Sequence, residues 1–195
     1  MPESCPAEFI DLATRLSDTA RDIAARYFRK SFSVETKPDE TPVTIADREI
    51  DAAQREMIEA AYADHGISGE EYGDAQMDAD YVWVLDPIDG TKAFLNGIPV
   101  FTNLIGLAYR GNPVLGVIYQ PTLAERWIGA AGHGATLNGT PVRTEPGPAL
   151  SEITVHATTP EMFTGANAAR FARLAAAAKY RRYGTDCYAY GLLAS

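Results

Sequence analysis

The sequence predicts an α+β unit that runs into the beginning of an α/β unit, and three observations lead there. Two amphipathic segments of helical period come first, over 7–30 and 44–64. Apolar strands linked by turns follow, between Tyr81 and Val142. After "GPALSE" the order changes to strand, helix, strand, helix. The division this implies is an N-terminal α+β domain over 1–148 and a C-terminal α/β domain that begins at 149 and is truncated at 195.

Each element has a local cause. Phe9, Leu12, Ala13, Leu16, Ala20, Ile23, Ala24 and Tyr27 recur at three- and four-residue steps, which places them on one helix face. "KPDETPV" (37–43) carries two prolines and reads as a loop. Thr44 is the expected N-cap of the second helix, with Asp47 at the capping-box position. "HGISGEEYG" reads as a turn around a short strand and carries two adjacent glutamates. Tyr81 opens a strand whose run is apolar on both faces, the pattern of a covered central strand. "FTNLIGLAYR" and "NPVLGVIYQP" read as strands joined at Arg110-Gly111-Asn112, and Asn138-Gly139 signals a further hairpin. "ITVHAT" and "KYRRYG" read as strands on either side of a helix over 160–178, and 186–195 as the start of another helix.

Composition narrows the function. A chain of 195 residues that is 46% hydrophobic can bury a real core without staples. Its formal net charge of -9 argues against a nucleic-acid partner, which needs a basic face, and suits a site that collects cations. No apolar run approaches the ~20 residues of a membrane span, and the N-terminus lacks the regions of a signal peptide. Cys5 and Cys187 form no metal or redox spacing and read as reduced thiols, so a cytoplasmic location is expected. His65, His133 and His156 show no ligand spacing and read as surface or satisfied core residues.

The chemistry concentrates in "YVWVLDPIDGTKAFLNG" (81–97), where an apolar strand ends in two aspartates. Asp86 and Asp89 converge at the strand end, and two ionised groups so close repel unless a cation lies between them. A hard divalent ion such as Mg2+ answers that conflict, with the Ile88 carbonyl as a further oxygen ligand. Pro87 sets the turn, Gly90 permits close backbone approach, and Thr91 opens a short helix whose amides suit a phosphate. Taken alone, the same residues serve equally as an Asx turn with Asp89 capping the next helix. Glu70, in "GEE" just upstream, and Asp47, at the start of the second helix, shift the balance towards a metal cluster.

"GEEYG" followed by "WVLDPIDGTKAFLNGIPVFTNLIGLAY", with "KPDETPVTIAD" upstream, resembles the inositol monophosphatase family of Mg2+-dependent, lithium-sensitive phosphatases. The resemblance implies a layered αβαβα fold, phosphomonoester hydrolysis and two or three Mg2+ ions. Carried over by position, Glu70, Asp86, Asp89 and the Ile88 carbonyl would bind metal. Thr91, hydrogen-bonded to Asp47, would orient the attacking water together with Glu70, and the amides of Gly90 and Thr91 would hold phosphate. "GTDCYAYGLLAS" (184–195) is more like bacterial histidinol-phosphatases than inositol phosphatases. Asp186 is the candidate for recognising a substrate ammonium group, its bland alternative being an ordinary N-cap. The expected partner is a small phosphate ester acted on by a homodimer; the resemblance points to histidinol phosphate and leaves inositol phosphates, 3′-phosphoadenosine nucleotides and fructose 1,6-bisphosphate open.

Two rivals stand beside this reading. A haloacid-dehalogenase-type phosphatase also ends a strand in aspartates, but two apart rather than three. A metal-dependent binding module would hold Mg2+ and phosphate without turnover. Similar proteins carry a further metal-binding aspartate in a later strand–helix unit, for which residues 1–195 hold no candidate. An N-terminal portion of a longer enzyme is therefore expected, with an incomplete metal cluster, little or no phosphatase activity by itself, and an apolar face or strand edge left exposed.

Overall fold

The fold is built around one eight-stranded sheet with two helices laid on one face. The computed structural model describes residues 4–30, 34–36 and 42–195. Helix α1 (Ala7–Tyr27) buries Phe9, Leu12, Leu16 and Ile23, the predicted stripe. It ends three residues earlier than the periodicity predicts. Phe28 leaves the helix to pack its ring against Phe94 and Phe101, and Arg29 follows at φ 59 with its Nε donating to the Gly97 carbonyl. Strands β1 (Val34–Thr36) and β2 (Pro42–Thr44) form a small antiparallel pair. The predicted loop at 37–43 therefore falls partly in β2, and its residues 37–41 lie outside the described residues. Helix α2 (Ile45–Ala61) starts with the predicted capping box.

The remaining strands of the large sheet are β3 (Gly66–Gly69), β4 (Gly73–Ala75), β5 (Tyr81–Asp89), β6 (Thr102–Tyr109), β7 (Asn112–Gln120), β8 (Glu125–Ala130), β9 (Gly134–Leu137) and β10 (Thr140–Val142). Their order is β10-β9-β8-β7-β6-β5-β3-β4, and only β3 and β5 pair in parallel. Both predicted hairpin turns, at 110–112 and 138–139, are in place. A five-residue helix, α3 (Thr91–Leu95), follows β5 directly.

The face under α1 and α2 is the core. Trp83, Leu85, Ile105, Leu107 and Val117 meet Phe9, Leu12, Leu16 and Ile58 there. Each large side chain so buried contributes roughly 1.5–3 kcal/mol. The opposite face departs from the expectation of a covered strand, because Val84 is 48% exposed. In register with it run Gly106, Gly116, Gly129 and Ala135, one per strand. These residues line an open apolar hollow of about 700 Å3, together with Trp127 and Tyr190.

The last quarter of the chain forms the expected strand–helix–strand. Strands β11 (Thr154–Ala157) and β12 (Tyr180–Tyr183) pair in parallel, apart from the large sheet. The helix predicted over 160–178 is instead a 3-10 turn at Pro160–Met162 followed by α4 (Ala166–Ala177). Gly165, at φ 55 and ψ -131, breaks the run, and Phe163 turns back to stack on Phe171 at 4.0 Å. Helix α5 (Tyr188–Leu193) lies between β11 and the open face of the large sheet, with Gly191 pressed onto the Trp127 ring. This sequence of layers is the αβαβα arrangement as far as the chain supplies it.

Candidate metal and phosphate site

The site forms where β5 loses its register. Asp86 pairs with Leu104 and Asp89 with Thr102, so Pro87 and Ile88 bulge opposite the single residue Asn103. Proline has no N–H to give to a ladder, and a bulge is where it is tolerated. The Asn103 amide fills the gap, donating to the carbonyls of Asp86 and Pro87 at 3.2 Å each. Gln54 of α2 in turn donates to Asn103 and to the Leu16 carbonyl. Ile88 anchors the bulge from below, 1% exposed among the apolar side chains that include Ile50, Phe94 and Phe101.

This geometry brings carboxylates from separate elements together. Asp86 carries the largest electrostatic penalty. Burial, then the charges of Glu70 and Asp89, push its carboxyl up to about 8, and the Glu70 carboxyl hydrogen-bonds to it. Its Oδ1 is buried and has no hydrogen-bond partner among the described residues. Glu70 itself is exposed, at the turn after β3, where its N–H extends the ladder to the Leu85 carbonyl at 3.2 Å. Asp89 is also raised by burial, in part offset by the Cys187 N–H, which donates to its Oδ2 at 2.7 Å. Thr102 donates to the same oxygen at 3.3 Å. Asp47 is 2% exposed, and burial raises it to about 6.

One predicted contact is absent. The Thr91 hydroxyl does not bond to Asp47; it donates to the Ile88 carbonyl at 3.1 Å. Asp47 Oδ2 accepts from the Thr44 N–H at 2.8 Å and the Thr44 hydroxyl at 2.5 Å. The capping box thus satisfies otherwise unpaired donors at the start of α2 and occupies the carboxylate. Among the described residues no three acidic, histidine or cysteine side chains are grouped closely enough to hold one ion as they stand. Unneutralised carboxylates repel, and here Asp89 and Asp47 are turned to internal donors.

The donor set nevertheless fits a hard divalent cation. An orphaned, buried carboxylate oxygen on Asp86, a neighbouring Glu70 carboxyl and the charge of Asp89 form an environment that a cation relieves. The Ile88 carbonyl accepts one hydrogen bond and keeps a second lone pair. Gly90 caps α3 at φ 83, in the left-handed region, with no room above it. A Cβ there would stand 3.0 Å from Asp186 Oδ2 and 3.4 Å from the Phe101 Cα. Asp186, far away in sequence, therefore lies against the start of α3, itself at φ 40. Asn103, Gln54, Asp51 and Arg55 are the supporting residues that sequence reasoning missed. A visible signal was there: polar side chains inside otherwise apolar faces of β6 and α2.

The three histidines follow the sequence reading. His65 is buried in an aromatic nest, accepting from Trp83 Nε1 at 3.1 Å. His133 and His156 engage Cys5 and Thr185 respectively. Both cysteines are free thiols. Among the described residues no helix is long and apolar enough to cross a membrane.

Known proteins resemble this chain in sequence and in fold. A sequence model of the inositol monophosphatase family matches residues 6–195. The bifunctional phosphatase IMPL2, chloroplastic, of Arabidopsis thaliana is 44% identical over 189 residues, 96% of this chain and 55% of its own length. A histidinol-phosphatase of Mycobacterium tuberculosis is 40% identical over 125 residues, covering 64% of this chain and 48% of its own length. An inositol monophosphatase structure from Zymomonas mobilis superimposes with a TM-score of 0.85 at 39% identity, over 96% of this chain and 72% of that one. The chain spans about half the length of the curated relatives it matches.

Proposed function

The chain belongs to the inositol monophosphatase family, and from that premise we propose that it is the metal- and phosphate-binding part of a Mg2+-dependent phosphomonoesterase acting on histidinol phosphate. The observation that carries the reading is the buried, unpartnered Oδ1 of Asp86 among the charges of Glu70, Asp89 and Asp47. Glu70, Asp86, Asp89 and the Ile88 carbonyl would hold Mg2+, which supplies charge neutralisation and activation of water. The amides of Gly90 and Thr91, at the start of α3, orient the phosphate. Asp47 stays close enough to raise the Asp86 carboxyl and so shares in the field that holds the cation. Thr91, through its hydroxyl on the Ile88 carbonyl, fixes the turn between the two aspartates. Positioning and electrostatics of this kind supply most of the acceleration in phosphoryl transfer. Residues 149–195 begin a second unit in this reading, which meets the first through the Cys187 N–H on Asp89.

Asp186 supports the substrate assignment. Its carboxylate lies against Gly90 and also lines a cavity of about 400 Å3 with His156, Phe163 and Tyr190. An ammonium group on the phosphate ester would meet a carboxylate there, and a flat ring would meet aromatic side chains. Relatives named histidinol-phosphatase, at 39–41% identity, point the same way.

The test is a Mg2+-dependent phosphate-release panel with histidinol phosphate and inositol 1-phosphate, run on the chain extended to the length of its relatives and on the same protein carrying Asp186→Asn. The variant is expected to raise KM for histidinol phosphate about tenfold, the loss of one charge-assisted hydrogen bond. KM for inositol 1-phosphate should stay within about twofold, since inositol carries no ammonium to lose that bond. Equal effects on both esters would remove Asp186 from recognition. A preference for inositol 1-phosphate would overturn the substrate, and binding of Mg2+ and phosphate with no turnover even in a chain extended to the length of its relatives would overturn the activity.

A further inference from the structure

We propose that Asp51 and Arg55 are positioning residues that hold the turn presenting Glu70 to the carboxylate cluster, a role that rests on the metal-binding reading above. Residues 47, 51 and 55 follow at four-residue steps along α2, so they share one helix face. Asp47 reaches the cluster from the first turn. Asp51 and Arg55, one and two turns further on, grip the segment Gly69–Gly73 between β3 and β4.

The grip is made at three points. Asp51 is fully buried, and its Oδ2 accepts the Glu71 N–H at 3.0 Å. Its Oδ1 lies 2.5 Å from Arg55 Nε, and that side chain is 13% exposed. The Arg55 fork continues to the Gly73 carbonyl, to which Nη2 donates. Gly69 closes the arrangement, because Arg55 and Asp51 occupy the space a Cβ would take. The backbone is thus clamped on both sides of Glu70, whose side chain is exposed and whose direction follows from the turn.

A buried ion pair is a weak device for stability alone, since desolvation opposes the Coulomb attraction. A planar guanidinium that bridges a carboxylate and a carbonyl is instead a good device for direction. Outer groups that orient metal ligands typically change metal affinity by about 10–100-fold when removed.

The experiment measures Mn2+ binding to the 195-residue chain by the electron paramagnetic resonance signal of the free ion. Asp51→Asn, Arg55→Lys and Glu70→Gln are compared with the parent, each first checked for native circular dichroism. Asp51→Asn is expected to raise the Mn2+ dissociation constant at least about tenfold. Arg55→Lys keeps a cation beside Asp51 but loses the fork, and should raise it about fivefold. Exchange of the Glu71 amide proton should quicken by about tenfold or more in both variants, as expected when a clamped turn opens locally. Weakened Mn2+ binding in Glu70→Gln with parent-like binding in the other two would overturn the positioning role while leaving the metal reading intact. Parent-like binding in Glu70→Gln would overturn both. If Asp51→Asn does not fold, Arg55→Lys decides, since it retains the buried charge pair.

Discussion

Asp86→Asn is expected to stabilise the metal-free chain at pH 8 and, in the same protein, to abolish its stabilisation by Mg2+. Burial and the nearby carboxylates raise Asp86 from the ordinary 3.8 to about 8, and Asp47 to about 6. In the unfolded chain these groups release their protons near the ordinary value. Between those pH values the folded state binds more protons than the unfolded state, so the stability of the metal-free chain falls as pH rises from about 4 to about 8. Asparagine does not ionise and removes the largest share of that loss, about 2–4 kcal/mol at pH 8. For a chain of this size the gain is roughly 5–15 °C in melting temperature. A saturating divalent ion stabilises the parent alone, by about 3 kcal/mol at a hundred times its dissociation constant. Thermal unfolding at pH 5 and pH 8, with chelator and with Mg2+, measures all four quantities. A parent that is no less stable at pH 8 than at pH 5 in chelator would contradict the half-buried, crowded state of Asp86.

Gly90→Ala is expected to damage both fold and phosphate binding. At φ 83 an L-residue costs about 1–2 kcal/mol relative to its usual region. The added Cβ would also meet Asp186 Oδ2 at 3.0 Å and the Phe101 Cα at 3.4 Å. The carboxylate can swing aside, but Phe101 is backbone and 1% exposed. Together these effects should cost about 2–4 kcal/mol, or roughly 4–15 °C. Any relief tilts the amides of Gly90 and Thr91 away from their present line, so affinity for inorganic phosphate in Mg2+ should fall about tenfold or more, as when an aligned donor pair is lost. Gly90→Asn separates the causes: asparagine tolerates the left-handed region yet carries the same Cβ. Recovery of stability in Gly90→Asn would leave the contact with Asp186 and Phe101 without weight. A melting temperature within 2 °C of the parent in Gly90→Ala would refute the strain.

The hydrophobic period of residues 7–27, the capping box of Thr44 and Asp47, the two hairpin turns and the break of β5 into Asp-Pro-Ile-Asp-Gly-Thr were all legible in the sequence. Each rests on forces that act within a few residues: a side chain capping its own helix, a glycine or asparagine permitting positive φ, a proline lacking its N–H. The break of β5 pointed to Asp86 and Asp89, with Glu70 just upstream, whereas Asp186 stood out only through the resemblance of 184–195 to histidinol-phosphatases. The same rules misjudged 160–178, where Gly165 outweighs an alanine-rich helical composition.

Tertiary structure alone decided how those residues meet. That Asp51 and Arg55 clamp the Glu70 turn depends on α2 packing beside β3. That Asn103 fills the bulge depends on the register of β6 against β5. Asp186 reaches Gly90, and Cys187 reaches Asp89, only because α5 docks on the open face of the sheet. Thr91 bonds to Ile88, while Asp47 Oδ2 is taken by the capping box. A sequence determines local hydrogen bonds and dihedral preferences directly, whereas contacts across tens of residues arise only when whole elements pack and choose which polar groups are buried together.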